Sequence, residues 1–533
     1  MGTTTRRGFM QALGAGVASM ALPPFARAAA GQWGAPMPEI GYVADTQYKI
    51  LEVFHVGGLS FWETFWLEQS VEGSSGFVDT SGNPVSIDAK GAEAKMLALP
   101  WSCDSPPEGN RVKSFGQDES GRSVYWGPAT QPLWDTLAFE NCRMVAMAHT
   151  LDPHDAAVPF AITGSTLGGA NFAGLGAALD RRHRAQLADA AVNDPLQAEW
   201  LKRPFSYVLA PNPTHATFRR MLSAFTATGS HGGQHRPLWL DIGPQGLGDA
   251  LLSQGVTSAA RNYLAKLRGQ YRQQMRWQGI GDHIRSKGYE DYRAAQEILT
   301  NGEVLHGFLG GDAIVASPGD SCTGGKANLS LNRTTHQLDL AAMLLNDDIG
   351  GARYVSVIDG GFEQPFFAGY DTHDEAITSH TAITCGGVHN VAQKLAQLIS
   401  DGSIDLEDTM IIINTEFGRS VSFIPETDSR DYHGYRGYLN LLIGGPITGR
   451  SIAGSLDDNG MARTPGYSVS VAEEEGHSPA DTRGAALMAA GINPFAEGLF
   501  AVSSFSPSLR SGVEGTELEV AQRIRSRILG VPS

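Results

Sequence analysis

The second half of the chain alternates short apolar runs with helical patterns, and that order restricts the fold more than any other feature. QLDLAAMLL (337–345) and GGVHNVAQKLAQLIS (386–400) have helical spacing, whereas YVSVID (354–359), TMIIIN (409–414) and YLNLLIGG (438–445) are continuous apolar runs of strand length. A strand that is apolar on both sides is buried on both sides, which predicts an α/β fold: a mostly parallel sheet with helices on both faces. Ile50 to Phe54 and Cys142 to Ala148 add two buried strands nearer the N-terminus. The stretches 72–125, 160–180 and 306–332 are rich in Gly, Ser, Pro and Asp and read as long loop excursions, and 255–300 has helical spacing with its basic residues on a solvated face. With 533 residues, 42% hydrophobic and 18% charged, the chain can bury a large core. It reads as a signal segment, 1–30, followed by a single α/β domain, 31–533, with insertions at about 72–125 and 180–332.

The N-terminus carries the three parts of an export signal in order. Arg6 and Arg7 precede Phe9, a weakly apolar Gly- and Ala-rich stretch runs from Ala12 to Leu22, and Ala26 and Ala28 fit a small-residue cleavage site. The arginine pair selects the twin-arginine route, so the expected partner is the twin-arginine translocase and the expected location is the periplasm or outside the cell. The apolar stretch falls short of the roughly 20 residues that a membrane span needs, so no stable membrane anchor is expected. Cleavage removes Arg6, Arg7 and Arg27 and no acid, which takes the formal charge from −16 to −19. A surface so acidic argues against nucleic acid or anionic membrane as the main partner. Cys103, Cys142, Cys322 and Cys385 lie far apart with no C-x-x-C spacing, leaving either free thiols or one or two disulfides.

Groups capable of chemistry gather just beyond the strand ends. Ser60 and Glu63 follow the first strand, and His149, His154 and Asp155 follow the strand at 142–148. Asp371 and His373 follow the strand at 354–359, Glu416 and Arg419 follow 409–414, and Asp431 and His433 come just before 438–445. Ligands of open α/β sheets bind beyond the carboxyl ends of the strands. Mixed His and carboxylate sets suit zinc, manganese or iron. Each piece also has a plainer reading. Asp371-Thr372-His373 reads as a turn, Glu416 as a salt-bridge partner of Arg419, and His154 with Asp155 as a helix cap. His380 and His389 read as surface histidines. Glu63, among Phe61, Trp62, Phe65 and Trp66, needs a partner: a metal, an arginine or a backbone amide.

These blocks, in this order, resemble a bacterial secreted family known as domain of unknown function 1501, related to alkaline phosphatases and sulfatases. The resemblance rests on Gly57-Gly58-Leu59-Ser60-Phe61-Trp62-Glu63-Thr64-Phe65; on His154, Ala157, Thr163 and Gly164; and on Tyr370-Asp371-Thr372-His373. It continues through Glu416-Phe417-Gly418-Arg419, Arg430-Asp431-Tyr432-His433, the glycines 444, 445, 449 and 454, and Pro479, Asp481, Ala485, Gly491 and Ile492. It implies an alkaline-phosphatase-like core and a divalent metal (zinc, manganese or iron). By position, the implied ligands are Glu63, Asp371, His373, Glu416, Asp431 and His433. His154 stands where relatives begin the helix that carries the nucleophile, and Arg419 is placed to steady an anionic transition state. The implied activity is metal-dependent hydrolysis of a phosphate or sulfate ester, on an anionic small-molecule or polymer substrate. The chain departs from the family pattern at Phe61 in place of His, Glu63 in place of Asp, Trp66 in place of a further Asp, and the extra Tyr432. With no C-x-P-x-R or S-x-P-x-R nucleophile motif, the alternative is a non-catalytic secreted binding or structural protein that keeps the fold.

Overall fold

The computed structural model describes residues 33–40, 48–68, 112–165, 174–193, 206–210, 237–239, 266, 329–347, 351–361, 369–372, 380–421, 423–424, 429–430, 433–434, 436–464, 476–510 and 516–532. The segment read as an export signal, the stretch 69–111 and almost all of the helical pattern at 255–300 lie outside the described residues. The chain divides into two compact units. The smaller comprises residues 1–33 and 182–202, and within it Arg182 Nη1 donates to the Trp33 carbonyl at 3.0 Å. The larger comprises 34–181 and 203–533 and contains the sheet and the candidate site.

Besides short two-residue ladders, its strands are β1 (Lys49–His55), β2 (Lys113–Gln117), β3 (Ser123–Trp126), β4 (Cys142–Met147), β5 (Tyr207–Ala210), β6 (Leu238–Trp239), β7 (Tyr354–Asp359), β8 (Thr409–Thr415), β9 (Tyr438–Gly444) and β10 (Ser451–Ala453). Eight of them form one sheet in the order β10-β4-β9-β8-β1-β7-β5-β6. Only β9 runs against its neighbours β8 and β4; every other pairing in the sheet is parallel. The α/β, mostly parallel sheet expected from the apolar runs is therefore present. The reversed β9 has a further consequence: residues that precede it start from the same rim at which the parallel strands end.

Helices α1 (His154–Thr163), α2 (Leu329–Leu345), α3 (His380–Ser400) and α4 (Pro479–Ala489) cover the sheet. Successive strand residues point to opposite faces, and the contacts divide accordingly. On one face, Phe54 and Ile358 join Val158, Ala161 and Ile162 of α1 in a buried cluster. On the other, Asp359 accepts a hydrogen bond from Thr334 Oγ1 of α2 at 2.8 Å. Helices thus lie on both faces. Glu52 interrupts the apolar run of β1, and three side chains satisfy its buried carboxylate through four hydrogen bonds. Arg483 of α4 donates to both its oxygens at 2.8 Å, Asn414 Nδ2 donates at 2.8 Å, and the Tyr354 hydroxyl also donates. Ser478 opens α4, with Asp481 accepting from its backbone N–H and its hydroxyl at 3.1 Å each.

Several loop expectations give way to structure. The described end of the 72–125 stretch is a hairpin, β2 with β3, in which Phe115 and Trp126 stack at 5.3 Å. Residues 160–163 finish α1, and another helix begins at Leu175. The described end of the 306–332 stretch begins α2 at Leu329, and the insertion at 180–332 includes β5 and β6 of the main sheet. Cys142 and Cys385 are buried and not disulfide-bonded, whereas Cys103 and Cys322 lie outside the described residues.

Candidate functional site

β8 carries TMIIINT, buried throughout, and releases the chain into Glu416 and Phe417 beyond its carboxyl end. Glu416 is fully buried, yet both of its oxygens have partners. Oε1 accepts the Gly57 N–H at 2.7 Å and lies 2.7 Å from His154 Nδ1; Oε2 accepts the Thr415 hydroxyl at 3.2 Å. Gly57 and Gly58 make this approach possible. At Gly58 φ is +81°, and a Cβ there would stand 2.7 Å from the Phe417 ring, so a side chain would meet both backbone strain and overlap.

His154 is the first residue of α1, behind Pro153 as the N-cap, and no side-chain cap is made. The capping reading of His154 therefore fails: its ring turns to the carboxylates. Nδ1 engages Glu416, and Nε2 stands 3.5 Å from Asp371 Oδ2. The ring also packs on Phe417, centroid to centroid 4.7 Å. Burial alone would lower its pKa. The hydrogen bonds and negative charges of Asp371 and Glu416 outweigh burial and push it up to about 9, so the imidazolium predominates at neutral pH. His149, one loop earlier, goes the other way. Burial pushes it down to about 4 although its Nε2 donates to the Glu416 carbonyl at 2.7 Å, so it is neutral at pH 7.

Arg419 does not pair with Glu416 through a hydrogen bond. Its Nη2 donates to Asp371 Oδ1 at 2.7 Å and to the Tyr370 carbonyl at 3.1 Å, and also to the Gly57 carbonyl; Nε donates to the Gly58 carbonyl at 3.0 Å. Nη1 is buried without a hydrogen-bond partner. One guanidinium thereby ties together the loops that follow β1, β7 and β8.

Glu63 belongs to a different set of contacts. It is 1% exposed; its Oε2 accepts the Ser60 hydroxyl at 2.5 Å and lies 3.5 Å from His380 Nε2, while His380 Nδ1 meets the Thr372 hydroxyl. His380 and His389 are thus buried, not surface residues, and His380 is a site neighbour that the sequence reading missed. His55, at the end of β1, was missed as well. Its Nδ1 lies 2.7 Å from Asp359 Oδ2, which also accepts the Tyr370 hydroxyl at 2.5 Å. Burial raises the Asp359 pKa, but His55, Tyr370 and the Gly361 amide together hold it below the usual carboxylate range.

Of the residues expected to hold a metal, Asp371 and Glu416 come together around His154, and Glu63 sits with His380. His373 and Asp431 lie outside the described residues. For His433 the backbone is described: it pairs with Arg419 in a short antiparallel ladder, which brings that segment back to the Glu416 turn. Among the described residues no three His, Cys, Asp or Glu side chains group as a metal site. Two atoms do have suitable spacing. A tetrahedral ion with bonds of about 2.1 Å has ligand atoms about 3.4 Å apart, and His154 Nε2 and Asp371 Oδ2 are separated by 3.5 Å. The other ring nitrogen of His154 meets a carboxylate, as the second nitrogen of a metal-bound histidine ordinarily does. This pair fits two positions of a divalent-cation site.

Residues 327–481 match the family model described as "Protein of unknown function (DUF1501)". The match runs from α2 to the start of α4 and includes Asp371, Glu416 and Arg419. No curated protein matches the sequence. Among solved structures, the lipoteichoic acid synthase LtaP from Listeria monocytogenes is similar at 7% identity and a TM-score of 0.29, covering 78% of this chain and 69% of that one.

Proposed function

We propose that the chain is an exported, alkaline-phosphatase-like protein whose strand-end rim binds a divalent metal and hydrolyses phosphate or sulfate esters. The observation that carries this reading is the His154–Asp371 pair, two donor atoms 3.5 Å apart beyond the carboxyl ends of a mostly parallel sheet. Asp371 and His154 would hold the ion. His373, Asp431 and His433 are the further candidates by sequence position, and zinc, manganese or iron suits the donor set. A bound divalent ion supplies polarisation of an ester oxygen and a more acidic water. Within the chain, Arg419 Nη1 is the nitrogen left for an anionic oxygen of the substrate. Ser60 is buried with its hydroxyl on Glu63, which supports water rather than a serine as nucleophile. Arg6 and Arg7 support export as a folded protein through the twin-arginine translocase to the periplasm or beyond.

A second reading, a non-catalytic secreted protein, has one observation in its favour. Each acid of the cluster already faces a base, Asp371 with Arg419 and Glu416 with His154. A screen of aryl phosphate and sulfate esters with zinc or manganese separates the two readings. Metal-dependent turnover that disappears in Asp371→Ala supports hydrolysis. No turnover of any ester, with either metal, supports the non-catalytic protein.

A further inference from the structure

The turn Glu416–Arg419 reaches three other segments, after β1, β4 and β7, with side chains of opposite charge. Glu416 Oε1 is shared between the Gly57 N–H and His154 Nδ1, each at 2.7 Å, and its Oε2 is taken by Thr415. Three residues on, Arg419 Nη2 grips Asp371 Oδ1 at 2.7 Å while Nε holds the Gly58 carbonyl. Between them the Phe417 ring supports both arms, 4.7 Å from the His154 centroid and 6.0 Å from the Arg419 guanidinium carbon. Phe417 and Glu416 are fully buried and Arg419 is 1% exposed, so none of the three trades its partner for water. The outcome is a fixed edge: His154 Nε2 opposite Asp371 Oδ2.

We propose that Glu416 and Arg419 are positioning residues, Glu416 setting the ring of His154 and Arg419 the carboxylate of Asp371, so that these two side chains present paired donors to a divalent cation. This rests on the metal-binding reading above and departs from the ligand set that the family resemblance implies: Glu416 acts through His154 and is not itself a ligand. Its two oxygens are committed to one ring nitrogen, one amide and one hydroxyl. A carboxylate behind a ligating histidine fixes the ring and raises its donor strength, and its loss weakens metal binding about 10–100-fold. Arg419 uses a fork that lysine cannot reproduce, since three carbonyls and one carboxylate oxygen take its Nε and Nη2.

The test uses the full mature chain, 15N-labelled at histidine, with Co²⁺ as the probe. Co²⁺ titrations give affinity and stoichiometry for the parent, Glu416→Gln, Arg419→Lys and Asp371→Ala. In the metal-free proteins, the exchange-protected ring N–H of His154, identified by its loss in His154→Gln, reports the contact with Glu416. The expected result is a 10–100-fold loss of Co²⁺ affinity in Glu416→Gln and Arg419→Lys at unchanged stoichiometry, loss of the ion in Asp371→Ala, and a shifted, unprotected His154 signal in Glu416→Gln alone. A Glu416→Gln protein that binds fewer ions shows Glu416 to be a ligand and overturns the proposal. So does one with parental Co²⁺ affinity and an unmoved His154 signal, which leaves the metal reading standing. A parent that binds no Co²⁺ overturns both.

Discussion

His154 links the site to the pH dependence of folding, and the size of the effect follows from its surroundings. In the unfolded chain its pKa is about 6.5; in the folded chain Asp371 and Glu416 outweigh burial and hold it at about 9. Each tenfold gain in proton affinity is worth about 1.4 kcal/mol, so the proton on His154 stabilises the fold by about 3 kcal/mol. The sign follows from proton binding. The pKa is raised on folding, so this stability is fully present below about pH 6.5 and is lost as pH rises through about 9. The side chain is 14% exposed, which leaves little solvent to screen the pair. The perturbation is His154→Gln, which keeps a polar side chain and removes the titration. Urea unfolding of the chelator-treated parent and variant, compared at pH 6 and pH 10, isolates the difference, because every other titrating group is common to both. The parent should lead by about 3 kcal/mol more at pH 6 than at pH 10. A constant gap across that range would refute the idea that His154 holds a proton between two carboxylates.

Three further outcomes are expected, two from the structure and one from the sequence. Arg483→Met leaves the Glu52 carboxylate buried without its bidentate partner and should lower the free energy of urea unfolding by about 3–5 kcal/mol; adding Glu52→Gln should recover most of that loss. Gly387→Ala places a Cβ against the Tyr370 ring, with the Cε1 atom 2.9 Å away, and should reduce stability by about 1–3 kcal/mol in thermal melts, together with a change in the near-ultraviolet signal of Tyr370. Lysines in place of Arg6 and Arg7 should stop export in a cell-fractionation assay and leave folded protein in the cytoplasm.

The central strands were legible because burial on both faces demands continuous apolar residues: TMIIIN and YVSVID have few other uses. Strands β5 and β6, of four and two residues, are too short to show any period, and their place in the sheet comes from tertiary pairing, β5 with β7 and β6 with β5. The β2–β3 hairpin was hidden in a Gly- and Ser-rich stretch, although KSFGQ and SVYW flank the turn segment Asp118–Arg122 and bury Phe115, Val124 and Trp126. Asp371, Glu416 and Arg419 were visible as candidates since they follow strand ends, where such sheets bind ligands. Who pairs with whom was not visible. Arg419 chooses Asp371, 48 residues away, over its neighbour Glu416 because the turn sends the two side chains to different loops. His380 and His55 were passed over because a lone histidine has no spacing signature, and their partners Glu63 and Asp359 lie 317 and 304 residues away in the chain. The sequence signal that points to His380 is its place at the head of an apolar helix, eight residues after Thr372.

Elemental analysis of the purified protein, beside an Asp371→Ala/His154→Ala variant, tests metal binding at this rim most directly. A near-stoichiometric transition metal in the parent, absent from a variant with the same fold by circular dichroism, is the expected result. A parent without metal, or a variant that retains it in full, would contradict the assignment of His154 and Asp371 as the cation site.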